Sequence, residues 1–76
     1  MEVYCVLENG DYGTWYKAPL EYDAIYKNKQ RAISHAKEYT HGAVHILKYT
    51  NDKWICDTKY YYNHTDKNKR IIQGEV

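Results

Sequence analysis

Thiol and imidazole groups are the side chains of this chain best suited to chemistry, and their spacing argues against a metal site. The cysteines are Cys5 and Cys56, and the histidines are His35, His41, His45 and His64. Structural zinc sites usually show paired ligands such as C-x-x-C, and this chain has no such pair. His41 and His45 stand four residues apart, but no cysteine flanks them. We therefore expect no metal and no cofactor.

Neither cysteine has the surroundings of a catalytic nucleophile. Cys5 and Cys56 each lie in an apolar, strand-like stretch, where a thiol is buried and unreactive, and no secretion signal points to a disulfide. The acidic residues fall on predicted turns and edges, where they stay solvated. The loop from Gly10 to Gly13 does not lead directly into a helix, as a phosphate-binding loop would. We predict that the chain is not an enzyme and has no catalytic residues.

The first third of the chain is acidic and aromatic, which favours a protein-binding surface. Residues 1–26 carry five acidic side chains and one lysine, a net charge of −4, whereas residues 27–76 carry ten basic and five acidic side chains, a net charge of +5. Tyrosine and tryptophan are common interface anchors. The predicted partner-binding residues are Glu8, Asp11, Tyr12, Trp15, Tyr16, Glu21, Tyr22 and Asp23. A competing interpretation places Trp15 and Tyr22 at one end of the core.

The C-terminal part supports an alternative, a nucleic-acid-binding surface. Its tyrosines would stack on bases and its basic side chains would contact phosphates. The candidate residues are Lys48, Lys59, Tyr60, Tyr61, Tyr62, Lys67, Lys69 and Arg70. Alternating lysine and tyrosine is also what an edge hairpin needs to stay soluble, and the net charge of the whole chain is only +1.

A helix is the clearest element that could position these groups. The segment KNKQRAISHAKEYTHG, residues 27–42, has apolar residues at helical spacing, namely Ala32, Ile33, Ala36 and Tyr39. Asn28 is a suitable N-cap, and Gly42 is the predicted stop. The two alanines on the apolar side allow close packing on a sheet.

The sequence predicts strands in the remaining segments. Residues 2–8 alternate with apolar groups on both faces, which predicts an interior strand, and Asn9–Gly13 has the composition of a turn. We favour a short hairpin return strand at Thr14–Lys17, a bend at Pro19 and renewed extension over Asp23–Tyr26. The alternative makes Thr14–Lys17 part of a long loop that leads to a later strand at residues 22–27.

A second hairpin follows the helix. Residues 43–49 and 54–62 are its predicted strands, joined by a turn at residues 50–53. Strict alternation would place Trp54, Cys56, Thr58 and Tyr60 on one face. Residues 63–69 are polar, and residues 70–73 add a short edge strand. The prediction is a single α+β domain over residues 1–76, with one helix on a mostly antiparallel sheet of about four strands in ββαββ order and a polar C-terminal segment, residues 63–76.

Length and composition limit the remaining possibilities. Seventy-six residues make one small domain with a thin core, and no apolar run is long enough to cross a bilayer. Because the amino terminus lacks signal-peptide features, we expect a cytoplasmic protein with no membrane partner. The chain has ten tyrosines and no phenylalanine, which suits rings with one solvated edge.

A pattern over about two thirds of the chain combines residues of the first strand with residues of the helix. Its members are Val3, Tyr4, Val6 and Glu8 in the strand and Ala32, Ile33, Ala36, Lys37 and Glu38 in the helix. This pattern resembles small uncharacterised proteins of phages and mobile elements from low-GC Gram-positive bacteria. The resemblance implies the ββαβ-type fold and a host-cytoplasmic setting. It makes an inhibitor of a host enzyme or defence complex the most specific form of the protein-binding hypothesis.

Overall fold

A computed structural model shows one helix and one antiparallel sheet, and it describes residues 1–10, 15–63 and 71–75. The elements are β1 (Glu2–Leu7), a one-turn 3-10 helix (Pro19–Glu21), β2 (Ala24–Tyr26), α1 (Lys29–Ala36), β3 (His41–Thr50), β4 (Lys53–Asn63) and β5 (Ile71–Glu75). The sheet order is β2-β1-β3-β4-β5, and all neighbours are antiparallel. The α+β class is confirmed, and β5 overlaps the short edge strand predicted at residues 70–73, so the order is ββαβββ.

The start of α1 follows the predicted cap. Asn28 is extended and its side-chain oxygen accepts a hydrogen bond of 3.1 Å from the Arg31 backbone N–H, which satisfies one free donor of the first turn. Ala32, Ile33 and Ala36 are buried against the sheet, as predicted.

The end of α1 differs from the prediction, because Gly42 does not stop the helix. The helix ends at Ala36, and Gly42 lies inside β3. A Cβ atom on Gly42 would stand 1.9 Å from the Ala36 carbonyl oxygen, so the strand passes directly against the last turn of the helix. Glycine is needed here for close approach of two backbones. Tyr39, predicted on the helix, lies beyond it and is half-buried.

The first predicted hairpin does not form. Residues 15–17 belong to no strand, and β1 is instead an interior strand between β2 and β3, as its two apolar faces indicated. Gly10 has no positive φ, and its backbone N–H donates to the His41 carbonyl at 2.7 Å. A Cβ there would be 2.8 Å from the Ala43 Cβ, so packing rather than a reversal requires this glycine. The rest of the predicted turn, residues 11–13, and Thr14 lie outside the described residues.

The second hairpin is confirmed and is longer than predicted. Strands β3 and β4 pair from Thr50 with Lys53 to His41 with Asn63. The two turn residues, Asn51 and Asp52, have φ values of 51° and 61°, as a two-residue type I′ turn requires. Asparagine and aspartate tolerate this left-handed region better than other non-glycine residues.

A β-bulge at Asp57 overturns the predicted alternation in β4. Leu47 pairs with Cys56 but Ile46 pairs with Thr58, so Asp57 is the extra residue. The bulge shifts the side-chain phase by one position. Trp54, Cys56, Lys59 and Tyr61 therefore share one face, and Ile55, Thr58, Tyr60 and Tyr62 share the other.

The sheet buries both of its faces. Helix α1 covers the helix face, where the buried residues are Val6, Ala32, Ile33, Ala36, Val44 and Tyr62. The buried residues of the opposite cluster are Val3, Cys5, Leu7, Tyr22, Ala43, Leu47, Cys56 and Tyr61. We call residues 15–22 the strap and this side of the sheet the strap face, because Tyr22 packs on it. Each fully buried apolar side chain contributes about 1.5 to 3 kcal/mol.

Substitution of Gly42 by alanine should be among the most destabilising single changes in the chain. The added Cβ meets backbone rather than a movable side chain, so β3 or α1 must shift. We expect G42A to lose about 3 kcal/mol of unfolding free energy in urea denaturation, the upper end for overpacking. The comparison variant is G10A, whose Cβ meets the Ala43 side chain. A G42A loss no larger than that of G10A would contradict the close-approach role.

Candidate functional site

The strap is a non-strand segment whose backbone is held by local hydrogen bonds. Pro19 opens the one-turn helix, and the Glu21 N–H donates to the Ala18 carbonyl at 2.9 Å. In return, the Glu21 carboxylate accepts from the Ala18 N–H at 3.0 Å. These two hydrogen bonds hold the backbone of the turn that carries Leu20, and Leu20 is 91% exposed.

Tyr22 fastens the strap to the sheet. Its hydroxyl lies 2.6 Å from His45 Nδ1, and the Lys17 backbone N–H donates to the same hydroxyl oxygen at 3.3 Å. Since the oxygen accepts from Lys17, we assign its proton to the bond with Nδ1, which places the His45 proton on Nε2. The Lys17 ammonium also lies 5.9 Å from the Tyr22 ring centroid. Burial raises the pKa of the Tyr22 hydroxyl.

His45 is a neutral histidine in the core of the strap face. The residue is fully buried, and Nε2 has no hydrogen-bond partner among the described residues. Burial, with smaller contributions from the positive charges of Lys59 and Lys17, lowers the pKa of His45 to about 4. The imidazole therefore stays uncharged at neutral pH and acts as an acceptor for Tyr22. No local pattern predicts this pair, because Tyr22 and His45 lie 23 positions apart.

The two cysteines share the strap face but do not form a disulfide. Cys5 pairs across strands with His45, whereas Cys56 lies opposite Leu47, so β3 separates them. Two strand spacings amount to about 10 Å, beyond the roughly 7 Å that a disulfide spans between Cα atoms. Burial raises the pKa of the Cys5 thiol to about 12 and that of the Cys56 thiol to about 11.

The predicted partner-binding residues divide into exposed and structural ones. Trp15 is 83% exposed, and Tyr16 is exposed to a smaller extent. Tyr22 is buried, so a partner cannot contact its ring without displacing the strap. Asp11 and Tyr12 lie outside the described part of the chain. The predicted set did not include Leu20 and Ile25, which are 91% and 41% exposed, and no local pattern distinguishes them from buried apolar residues.

The three described acidic residues of the set are exposed and also hold the fold. The Asp23 carboxylate accepts from the Glu8 backbone N–H at 2.8 Å, and the Glu8 carboxylate accepts from the Tyr39 hydroxyl at 2.8 Å. Glu21 caps the one-turn helix. Their charges still face solvent, but replacing them would disturb the structure as well as any interface.

The nucleic-acid alternative loses most of its stacking surface. Tyr61 and Tyr62 are 5% and 2% exposed, so they are core residues rather than a platform for bases. Tyr60 is half-buried, and the Lys29 ammonium lies 5.0 Å from its ring centroid. Lys48 lies between two carboxylates, 3.6 Å from that of Glu2 and 3.5 Å from that of Asp57. Lys59 is half-buried in β4. The other candidates, Lys67, Lys69 and Arg70, lie outside the described residues.

A second cluster joins α1 to the sheet around His35. The Tyr26 hydroxyl lies 3.1 Å from His35 Nδ1, and His35 Nε2 lies 3.3 Å from the Tyr39 hydroxyl, which donates to Glu8. Beside this cluster is an open depression of about 560 Å³, lined by Tyr26, Gln30, Arg31, Ser34, His35 and Glu38. It is shallow and mixed in charge, and the hydrogen-bond chain serves to fasten the helix to β1 and β2.

Neither a metal site nor a relative identifies the chain. Within residues 1–10, 15–63 and 71–75 no group of histidine, cysteine and acidic side chains is arranged to hold a metal ion. In the same ranges no helix has the length and apolar character needed to cross a membrane. No family model, curated protein or solved structure matches the chain.

Acidification should destabilise the protein through His45. In the unfolded chain this histidine has its ordinary pKa of 6.5, and in the fold its pKa is about 4. The stabilising contribution is therefore complete above about pH 6.5 and is lost as the pH falls towards 4, because the unfolded state binds the proton first. We expect a loss of about 2 kcal/mol between about pH 7 and about pH 5, measured by urea denaturation.

A His45→Gln variant provides the control, since glutamine can accept from Tyr22 and does not titrate. Its unfolding free energy should change less over the same pH interval, by about the amount assigned to His45. Equal pH dependence in the two proteins would contradict the assignment.

Both cysteines should be unreactive in the native state. Their buried thiols have raised pKa values, so a disulfide-exchange reagent should modify them at least about a thousandfold more slowly than in the unfolded chain. The C56S variant separates the two sites, since it retains Cys5 alone. Rapid native modification of either thiol would show that the strap face opens readily.

Proposed function

We propose that this chain is a non-enzymatic protein-interaction module that binds its partner through the strap. The observation that carries the proposal is the pair Trp15 and Leu20, whose side chains are 83% and 91% exposed, with Leu20 on a turn that hydrogen bonds hold. Large apolar side chains gain free energy when a partner covers them.

The anchoring of the strap favours this use. Tyr22 is held by His45 at one end of the segment, and the Ala18–Glu21 hydrogen bonds hold the turn that carries Leu20. A segment that is already ordered loses little conformational entropy on binding, so more of the contact energy appears as affinity. Exposed tryptophan is also the residue type most enriched among interface hot spots.

The charges around the strap specify the partner chemistry. Three exposed residues carry carboxylates here: Glu21 within the strap, Asp23 directly after it, and Glu8, whose backbone N–H donates to the Asp23 carboxylate. A complementary partner has an apolar pocket with lysine or arginine at its rim. A basic nucleic-acid channel of a host enzyme or defence complex has this character. In its most specific form, which depends on the phage-protein resemblance alone, the module inhibits such an enzyme.

Capture experiments with paired variants test the proposal. The tagged chain and a W15S/L20S variant are incubated with a low-GC bacterial lysate after nuclease treatment, and the beads are washed at high salt. We expect the unaltered chain to retain a stoichiometric protein partner and the variant to retain at least about tenfold less, because both anchors are removed.

Tyr49→Ser is the matched control, because Tyr49 is an exposed aromatic residue outside the strap, near the C-terminal end of β3. It should retain the partner. Circular dichroism and urea denaturation establish that each variant is folded. Equal retention by W15S/L20S would refute the strap as the binding surface, and recovery of nucleic acid alone from an untreated lysate would refute protein binding.

A further inference from the structure

Strand β2 is an edge strand with a symmetric arrangement of side chains. It is the first strand in the order β2-β1-β3-β4-β5, so β1 is its neighbour on one side only within the described sheet. Its central residue, Ile25, is 41% exposed. Asp23 lies two positions before Ile25 and Lys27 lies two positions after it, and both are exposed.

The backbone on either side of β2 keeps extended torsion angles but changes direction. Tyr22 has φ −89° and ψ 162° and Asn28 has φ −103° and ψ 121°, and the chain bends at residues 22–23 and 27–28, so the strand itself is three residues long. The space between Tyr26 and the outer side of α1 is the open depression described above, so the helix leaves this region accessible.

An antiparallel pair of two such strands is complementary about a two-fold axis at Ile25. Asp23 of each copy then lies opposite Lys27 of the other copy, which places opposite charges at both ends. The two Ile25 side chains face each other on the strap face, because Ile25 pairs with Cys5 within the chain. Ala24 lies opposite the larger Tyr26 of the second copy on the helix face.

We propose that two copies of this chain associate through β2, forming a continuous antiparallel sheet across the interface. Isologous pairing satisfies the edge backbone groups of both copies and covers Ile25. The interface is short, so the dimer is weak and forms at high protein concentration. It uses Ile25 and the charges of Asp23 and Lys27 rather than the anchors Trp15 and Leu20, so the dimer and the proposed partner binding are tested by different variants.

The alternative role of Asp23 and Lys27 is protection of the edge, since flanking charges often keep edge strands from pairing. The two roles predict opposite oligomeric states. Sedimentation equilibrium from about 10 µM to about 1 mM therefore separates them. We expect the average mass to rise from 9.1 kDa towards twice that value. A constant monomer mass over the range would overturn the proposal.

Charge-reversed variants test the register. K27E alone places like charges at both ends of the pair, as does D23K alone, so each should raise the dimer dissociation constant about tenfold or more. An equimolar mixture of K27E and D23K restores opposite charges at both ends, and it should form heterodimers with about the affinity of the unaltered chain. Dimerisation of K27E at the original affinity, or a mixture that stays monomeric, would overturn the register.

Two further variants keep the test interpretable. K53E makes the same charge change at the β3–β4 turn and should leave the dimer unaltered. Because the Asp23 carboxylate accepts from the Glu8 N–H, D23K is checked by circular dichroism. Should D23K fail to fold, I25K replaces it, since it brings two ammonium groups together at the axis. A dimer that survives I25K forms through another surface, and the proposal is then wrong.

Discussion

A wide sheet with one short helix has more apolar surface than the helix can cover, and the rest of the structure depends on how the second face is closed. The eight residues of α1 cover the helix face with three small or branched side chains, Ala32, Ile33 and Ala36. The strap face has only Tyr22 from outside the described sheet in its buried cluster. A tyrosine can do this because its ring packs on apolar neighbours while its hydroxyl finds an acceptor in His45. The acceptor must be neutral, which explains why a histidine with a lowered pKa, rather than a carboxylate, lies there.

Closing both faces within 76 residues also demands close backbone approaches. Gly42 of β3 lies against the last turn of α1, and Gly10 lies against the Ala43 side chain of β3. The absence of a side chain at both positions lets β3 pack closely against α1 and against the segment after β1. The histidine cluster at His35 performs the corresponding task on the outer side, linking α1 to β2 and to the end of β1 through hydroxyl groups. In so small a core, polar side chains at the rim supply contacts that a larger protein would obtain from apolar burial.

Local signals predicted the parts of the fold that local interactions determine. The Asn28 cap, the apolar side of α1 and the β3–β4 hairpin follow from capping, periodicity and turn residues, and all are present. The predicted hairpin return was wrong at its described residues, 15–17. Their composition suits a strand, but β2 and β3 already pair with both sides of β1. The phase of β4 was wrong because the bulge at Asp57 has no sequence signature. Pairing between distant segments decided both outcomes, and a single sequence contains little information about it.

At the candidate site, too, contacts between distant segments decided the outcome, and they determined which tyrosines are buried. Ten tyrosines without a phenylalanine suggest rings with solvated edges, yet Tyr22, Tyr61 and Tyr62 are core residues here. Burial of a tyrosine depends on which elements pack against its ring, which is a property of the tertiary structure. Composition therefore overstated the aromatic surface in the C-terminal hairpin. The exposed anchors are instead Trp15 and Leu20, which the strap holds away from the core because its own contacts with the sheet are made by Tyr22. The residue that fastens the segment and the residues that it presents are thus different, so anchoring and binding can be altered separately.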